Sequence, residues 1–160
     1  MMTNEERIQL AVDNFMAGFN CAQSVVSAFA DQYGFTREQA LRMSASFGAG
    51  IGRMRLTCGA VCGMLQLAGL EHCALEGSDR KSKSENYALV QRLADEFRRR
   101  NGSITCRELL GLRKEQRSAE ASERTPEYYA TRPCARMIES AARIWVEHLE
   151  GRLTDDKPEP

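Results

Sequence analysis

The sequence contains no Cys-x-x-Cys segment, although six of its 160 residues are cysteines. This absence excludes a thioredoxin-like motif, a zinc knuckle and the motif for covalent haem attachment. Net charge is also absent, because 22 basic residues balance 22 acidic ones, and no block of like charge indicates a polyelectrolyte partner. We therefore expect neither nucleic acid nor another polyelectrolyte as a partner.

Long apolar runs are missing as well. No stretch approaches the roughly 18 uninterrupted apolar residues of a membrane span. Residues 1–6 lack the basic start and the apolar run of a signal peptide. These observations predict a cytoplasmic protein with no membrane segment. Because structural disulfides are rare in a reducing compartment, the six cysteines favour metal binding or redox chemistry.

Apolar residues recur at helical spacing throughout the chain, and no segment alternates as a half-buried strand does. The length suits one domain with its own core. We predict an all-α, single-domain helical bundle of about six or seven helices. Residues 1–150 would form the bundle, with a flexible tail at 151–160. The charged, serine-bearing segment 112–127 is predicted to be a mobile loop.

Capping signals mark several of the predicted helix ends. Capping boxes are expected at Thr3–Glu6, Thr36–Gln39 and Ser82–Glu85. Gly34 and Gly102 stand where a left-handed residue would end a helix.

Four of the cysteines lie at predicted helix starts. Asn20 precedes Cys21, Thr57 precedes Cys58, Thr105 precedes Cys106 and Pro133 precedes Cys134. Asn and Thr are good N-cap residues, and Pro is favoured in the first turn. Gln23 and Glu108 could complete two capping boxes. Unpaired N–H groups and the helix dipole stabilise a thiolate at such a position and lower its pKa. If the four starts converge, they form a pocket suited to anionic sulfur.

The other two cysteines have weaker signals. Cys62 follows Cys58 by one helical turn and is expected to fill the core, with a further metal ligand or a resolving thiol as alternatives. Cys73 adjoins His72 in a predicted loop, but adjacent side chains usually point apart, so we do not expect a metal ligand pair there.

A glycine-rich segment, 48–52, precedes Cys58. No strand comes before it, so a dinucleotide-binding loop is not expected. Its three glycines would instead let the backbone approach the sulfur site. Arg53 and Arg55 could stabilise a thiolate or hold an anionic substrate, or they could be exposed charges. His148 and the run Arg98–Arg100 are expected to have packing or surface roles.

The residues around Cys58 read Cys58-Gly59-Ala60-Val61-Cys62-Gly63. They resemble the CGAxxG element of the C_GCAxxG_C_C family of redox-active proteins. The family pattern consists of one early cysteine, this element and two separate cysteines. In this sequence, its cysteines correspond to Cys21, Cys58, Cys106 and Cys134. The resemblance covers about residues 5–148 and implies a small helical protein with a four-cysteine redox centre. It implies no particular reaction, and Cys62 and Cys73 are additional to the pattern.

Three functions are compatible with these residues. The first, which the four sulfur donors favour, is an iron–sulfur or other thiolate-ligated metal centre for electron transfer with an unidentified redox partner. Its ligands would be Cys21, Cys58, Cys106 and Cys134, with Gly59 and Gly63 allowing close packing against the centre. The second is a thiol–disulfide oxidoreductase in which Cys58 attacks and one of the other three thiols resolves. The third is a non-catalytic helical binding module, a homodimer through an apolar helix face, with inert cysteines.

Overall fold

The computed structural model describes residues 1–112 and 118–153. These residues form eight right-handed α-helices and no β-strand, so the all-α prediction is confirmed. The helices are α1 (Asn4–Met16), α2 (Cys21–Ser27), α3 (Arg37–Ser44), α4 (Gly59–Glu71), α5 (Arg80–Asn101), α6 (Cys106–Leu109), α7 (Pro126–Thr131) and α8 (Cys134–Leu149). Two short 3-10 helices, Ala30–Tyr33 and Ala45–Phe47, flank α3.

The count exceeds the predicted six or seven because of α7, which lies at the end of the segment expected to be a loop. Thr125 caps this helix by accepting a hydrogen bond from the Tyr128 N–H at 3.1 Å, and Pro126 occupies its first position. Residues 113–117 of the predicted loop and 154–160 of the predicted tail lie outside the described residues.

Most of the expected helix ends are confirmed. Capping boxes form at Thr3–Glu6 and Thr36–Gln39, and both Gly34 and Gly102 adopt a positive φ. The box expected at Ser82–Glu85 was wrong. Helix α5 begins three residues earlier, because Asp79 is its N-cap and the Asp79 carboxylate accepts the Ser82 N–H at 3.0 Å.

Helix α4 lies at the centre of the fold and packs against α2, α5 and α8. It carries almost only apolar side chains, as a helix covered on several faces requires. A Cβ atom at Gly63 would lie 3.0 Å from the Ala22 carbonyl oxygen, so only glycine lets α2 come this close. The largest fully buried side chains are Trp145, Phe15, Phe29, Phe97, Met64 and Leu67.

Helix α8 is the most clearly amphipathic element and closes the bundle against α1, α4 and α5. Its buried face includes Ile138, Ala141 and Trp145, spaced by three and four residues. In the described residues no helix is both long and apolar enough to cross a membrane. The packing of α8 and α2 against α4 brings the first residues of all three to one region of the molecule.

Candidate functional site

The four cysteines at the helix starts line one cavity of about 60 Å³. Its wall consists of Asn20, Cys21, Ala49, Gly50, Arg55, Cys58, Gly59, Cys106, Leu109, Leu110, Arg124, Tyr128, Pro133, Cys134 and Met137. The starts of α2, α4, α6 and α8 therefore converge, as the sequence pattern predicted. Among the described residues, no Asp, Glu or His belongs to this wall.

Cys21 is held at the start of α2 by the predicted capping box. The Asn20 side chain accepts the Gln23 N–H at 2.9 Å, and the Gln23 side chain accepts the Asn20 N–H at 3.1 Å. The Asn20 amide also donates to the Ala45 carbonyl oxygen at 2.9 Å. These bonds tie the helix start to the segment that leads into the glycine-rich loop.

Cys58 and Cys106 are brought together by a short antiparallel pairing, in which Thr57 lies opposite Thr105. The Cys58 N–H donates to the Ile104 carbonyl oxygen at 2.7 Å, and the Cys106 N–H donates to the Leu56 carbonyl oxygen at 2.6 Å. Cys58 directly follows Thr57 and Cys106 directly follows Thr105. Because the pairing is antiparallel, the two cysteines lie on opposite sides of this bridge, and both line the same cavity.

Two details of the predicted caps were wrong. Cys58 itself occupies the N-cap position of α4, so Thr57 lies one residue outside the helix. Glu108 accepts a hydrogen bond from the Ser103 hydroxyl rather than from the backbone of Thr105. The Thr105 N–H donates instead to the Ser103 Oγ at 2.9 Å, so Ser103 mediates the cap of α6.

The glycine-rich segment forms a left-handed turn, with positive φ at residues 49–53 and again at Arg55. Three consecutive residues, Ile51, Gly52 and Arg53, have φ between 57° and 65°. Non-glycine residues in this region cost about 1–2 kcal/mol each. A Cβ atom at Gly50 would lie 2.6 Å from the Cys106 Cβ and 2.6 Å from the Arg55 Cα. The predicted close approach of this backbone to the sulfur site is confirmed.

The strained turn buries Arg55, which is 6% exposed. Its Nη1 lies 3.7 Å from the Cys106 Sγ, and its Nε has no hydrogen-bond partner among the described residues. Arg53 instead turns away and donates to the Ser118 carbonyl oxygen at 3.0 Å and to the Ser122 Oγ at 2.9 Å. Arg53 and Arg55 were both considered from the sequence as groups that could stabilise a thiolate. Of the two, only Arg55 lines the cavity.

Arg124 and Tyr128 complete the wall, and the sequence interpretation missed both. Arg124 donates to the carbonyl oxygens of Phe15 and Phe19, each at 3.0 Å, and its guanidinium lies 4.4 Å from the Phe15 ring centroid. Both residues come from the segment interpreted as a loop or from the helix that ends it. The Thr125-Pro126 pair was the local signal that could have revealed this helix.

The thiols of Cys21 and Cys134 influence each other's ionisation, and their pKa values shift in opposite directions. The hydrogen bond from Cys21 lowers the pKa of Cys134 to about 7, and the charges of Arg132, Arg124 and Arg55 act in the same direction against burial. The same bond, together with burial, raises the pKa of Cys21. Cys134 is therefore the preferred thiolate, and Cys21 retains its proton.

The remaining two thiols differ from the expectation that every helix start lowers the pKa. Burial raises the pKa of Cys58 to about 12, although the Val61 and Ala60 N–H groups favour the thiolate. Burial also raises the pKa of Cys106, against the opposing effect of Arg55. At both positions, desolvation raises the pKa of the thiol more than the helix start lowers it.

The two cysteines outside the family pattern lie outside the cavity wall. Cys62 is half-buried, and burial raises its pKa to about 11. Cys73 is exposed, and the neighbouring His72 pairs with Glu85 at 3.1 Å. His148 pairs with Glu71 at 3.2 Å on the surface of α8.

The two glycines expected beside the centre have different surroundings. Gly59 belongs to the cavity wall, and a Cβ atom there would lie 3.0 Å from the Cys21 Cβ. Gly63 lies one turn further along α4 and contacts α2 instead. The close approach of Gly59 brings the start of α4 against that of α2.

The donor set of the cavity is sulfur only, which suits a thiophilic metal or an iron–sulfur cluster. In the described residues, however, no three His, Cys, Asp or Glu side chains are placed closely enough to hold a metal ion.

Comparison with known proteins identifies one family. Residues 19–148 match the family model described as "Putative redox-active protein (C_GCAxxG_C_C)". The match spans all four cavity cysteines. No curated protein and no solved structure gives a significant match to the chain.

Proposed function

The chain belongs to the C_GCAxxG_C_C family, and we propose that its redox function is thiol–disulfide exchange carried out by Cys134 and Cys21. Cys134 is the attacking thiol and Cys21 is the resolving thiol. The single observation that carries this proposal is that both sulfurs line one cavity, where each thiol shifts the pKa of the other.

The surroundings of the pair support this division of roles. Cys134 is half-buried, whereas Cys21 is 9% exposed, so an acceptor reaches Cys134 more readily. The lowered pKa of Cys134 supplies thiolate at neutral pH, and a thiol with a pKa near the ambient pH is the best attacking group. Cys58, which the sequence suggested as the attacking residue, is 6% exposed and retains its proton.

The reaction balances with a disulfide as the acceptor. The Cys134 thiolate attacks one acceptor sulfur, the acceptor S–S bond breaks, and the other acceptor sulfur leaves as a thiolate that takes up a proton. Cys21 then loses its proton and attacks the Cys134 Sγ. The second acceptor sulfur leaves as a thiol. Two electrons pass to the acceptor, which becomes two thiols, and the Cys21–Cys134 disulfide remains.

Equilibration in a buffer of oxidised and reduced dithiothreitol tests the proposal. After the free thiols are alkylated, peptide mass spectrometry should find a reversible Cys21–Cys134 disulfide. The variants Cys21→Ser and Cys134→Ser should lack it, and Cys73→Ser, at an exposed position outside the cavity, should retain it. A reduced Cys21–Cys134 pair under conditions that oxidise dithiothreitol would overturn the proposal.

An iron–sulfur or other metal centre is the second candidate, favoured by the four thiols around one cavity with no competing carboxylate. Cys21, Cys58, Cys106 and Cys134 would hold the group, which would supply one-electron transfer when bound. The Ala60 and Val61 N–H groups point toward the Cys58 sulfur and would stabilise its thiolate form. The thiols would first have to move closer together.

Anaerobic purification distinguishes the two candidates. Stoichiometric iron and sulfide with visible absorption, lost in Cys58→Ser but retained in Cys62→Ser, would support the metal centre. A colourless, metal-free protein with a reversible Cys21–Cys134 disulfide would support thiol exchange.

A further inference from the structure

The cavity wall contains two arginines and no carboxylate, and its one anionic group is the Cys134 thiolate. Arg55 is 6% exposed and forms no ion pair with a carboxylate within the described part of the chain. Arg124, also in the wall, donates to two backbone carbonyl oxygens, which leaves its charge without a carboxylate partner there. Burying a charge without a counter-charge is costly. Two arginines held in one cavity despite this cost form a site suited to bind an anion.

The Arg55 side chain lies in the wall of the cavity that contains the reacting thiols. Its Nη1 contacts the Cys106 Sγ at 3.7 Å, and its unpartnered Nε is shielded from solvent beside the same cavity. The peptide group that follows its Cα is held by two hydrogen bonds. The Arg55 carbonyl oxygen accepts the Arg107 N–H at 3.2 Å, and the Leu56 N–H donates to the Gly50 carbonyl oxygen at 2.9 Å. The guanidinium is therefore a preorganised donor.

Burial keeps Cys106 protonated despite this neighbour, because desolvation raises its pKa more than Arg55 lowers it. Cys106 therefore supplies no negative charge, and the single Cys134 thiolate does not balance the two arginines of the wall. A ligand that brings its own anionic group would.

The size of the cavity limits what this group can be. A volume of about 60 Å³ corresponds to on the order of four water positions, at roughly 15 Å³ each. It admits a carboxylate-sized group together with a reacting sulfur, but not an entire peptide.

We propose that the acceptor disulfide is a low-molecular-weight compound that carries a carboxylate-sized anionic group close to its reactive sulfur, and that Arg55 selects it. This inference rests on thiol exchange at Cys134, the proposed function. It names the substrate class and assigns Arg55 as the residue that determines specificity.

Alkylation by two reagents of similar size tests the anion preference without any disulfide chemistry. Iodoacetate is anionic and iodoacetamide is neutral. The ratio of their rates at Cys134, measured by peptide mass spectrometry, is normalised to the ratio for a free cysteine peptide. Steering by a positive cleft should raise this normalised ratio by about tenfold. Arg55→Gln should reduce it toward one, and Arg55→Lys should largely restore it.

Arg53→Gln is the matched control, because Arg53 lies in the same turn but bonds to Ser118 and Ser122 outside the cavity. It should leave the ratio unchanged. The fluorescence of the only tryptophan, Trp145, checks that each variant is folded. If Arg55→Gln does not fold, the rate ratio of the wild-type protein is measured at high salt instead. Screening of the arginine charge should then lower the ratio toward one. A wild-type ratio near one, or a ratio that Arg55→Gln leaves unchanged, would overturn the inference.

Reaction with two small disulfide compounds distinguishes this inference from the proposed function. Dithiodiglycolate, which carries two carboxylates, should oxidise the wild-type thiols faster than its neutral diamide. Equal rates would overturn the anion preference while leaving thiol exchange in place. Preferential alkylation by iodoacetate without reaction with either disulfide would retain the anion-selective cavity and remove the exchange function.

Discussion

The Arg55 guanidinium lies 3.7 Å from the Cys106 sulfur, within the wall of a cavity that also includes Cys21, Cys58 and Cys134. Neither residue would reach this position through its own helix or loop alone. Arg55 is carried inward by a left-handed turn, and Cys106 is held by a single antiparallel bridge to Thr57, in the segment that follows this turn. The placement of Arg55 and that of Cys58 and Cys106 therefore depend on the same piece of backbone.

The reactivity of Cys134 should depend on Cys21. Alkylation of Cys134 by iodoacetamide is expected to rise with pH around a midpoint near its pKa of about 7. Cys21→Ala removes the hydrogen-bond donor and should move that midpoint upward. The pH dependence of the rate, followed at the Cys134 peptide by mass spectrometry, measures the shift. Cys62→Ala, outside the cavity, should leave the midpoint in place, and an unmoved midpoint in Cys21→Ala would contradict the assignment.

The stability of the fold should decrease at alkaline pH because of Cys58. Its folded pKa of about 12 lies above the ordinary thiol value of 9.0, so the unfolded chain binds fewer protons between these values. The free energy of unfolding therefore falls with rising pH, by up to about 1.4 kcal/mol per pH unit for this one proton.

Urea denaturation followed by Trp145 fluorescence measures this slope. Cys58→Ala should reduce it relative to the wild type, because the buried thiol no longer titrates. Cys73→Ala, at an exposed thiol, should have no effect on the slope. Identical slopes in Cys58→Ala and the wild type would show that another group causes the loss of stability.

Gly50→Ala should destabilise the protein. The substitution places a Cβ atom 2.6 Å from both the Cys106 Cβ and the Arg55 Cα, at a φ of 73°. We expect a loss of about 1–3 kcal/mol or more, together with a lower iodoacetate preference at Cys134. Gly69→Ala is the matched control, since that glycine lies in α4 with open space around it. It should stabilise the protein by about 0.5–1 kcal/mol, and urea denaturation compares the two.

Arg124→Lys should weaken the fold although it keeps the positive charge. Arg124 donates to two carbonyl oxygens near the end of α1 and stacks on the Phe15 ring. Lysine cannot reproduce this planar, forked contact. We expect a loss of about 1–3 kcal/mol in the free energy of unfolding. Arg98→Lys, on the exposed end of α5, should change it by less than about 0.5 kcal/mol. Equal effects of the two substitutions would contradict the proposed role.

Local features of the chain were predictable where neighbouring residues control the structure. The capping boxes at Thr3, Asn20 and Thr36, the left-handed ends at Gly34 and Gly102 and the helical class all follow from interactions within a few residues. The boundary at Cys58 was off by one residue, because a tertiary pairing between Thr57 and Thr105 extends the chain just before the helix.

The sequence by itself determined which cysteines stand at helix starts and that the chain is all-α, because capping and periodicity act over one or two turns. Only the tertiary structure decided which sulfurs interact, which arginine is buried and which thiols retain their protons. Desolvation and charge depend on everything packed around a group. Cys134 and Cys58 illustrate this, since both lie at helix starts, yet the pKa of one falls and that of the other rises.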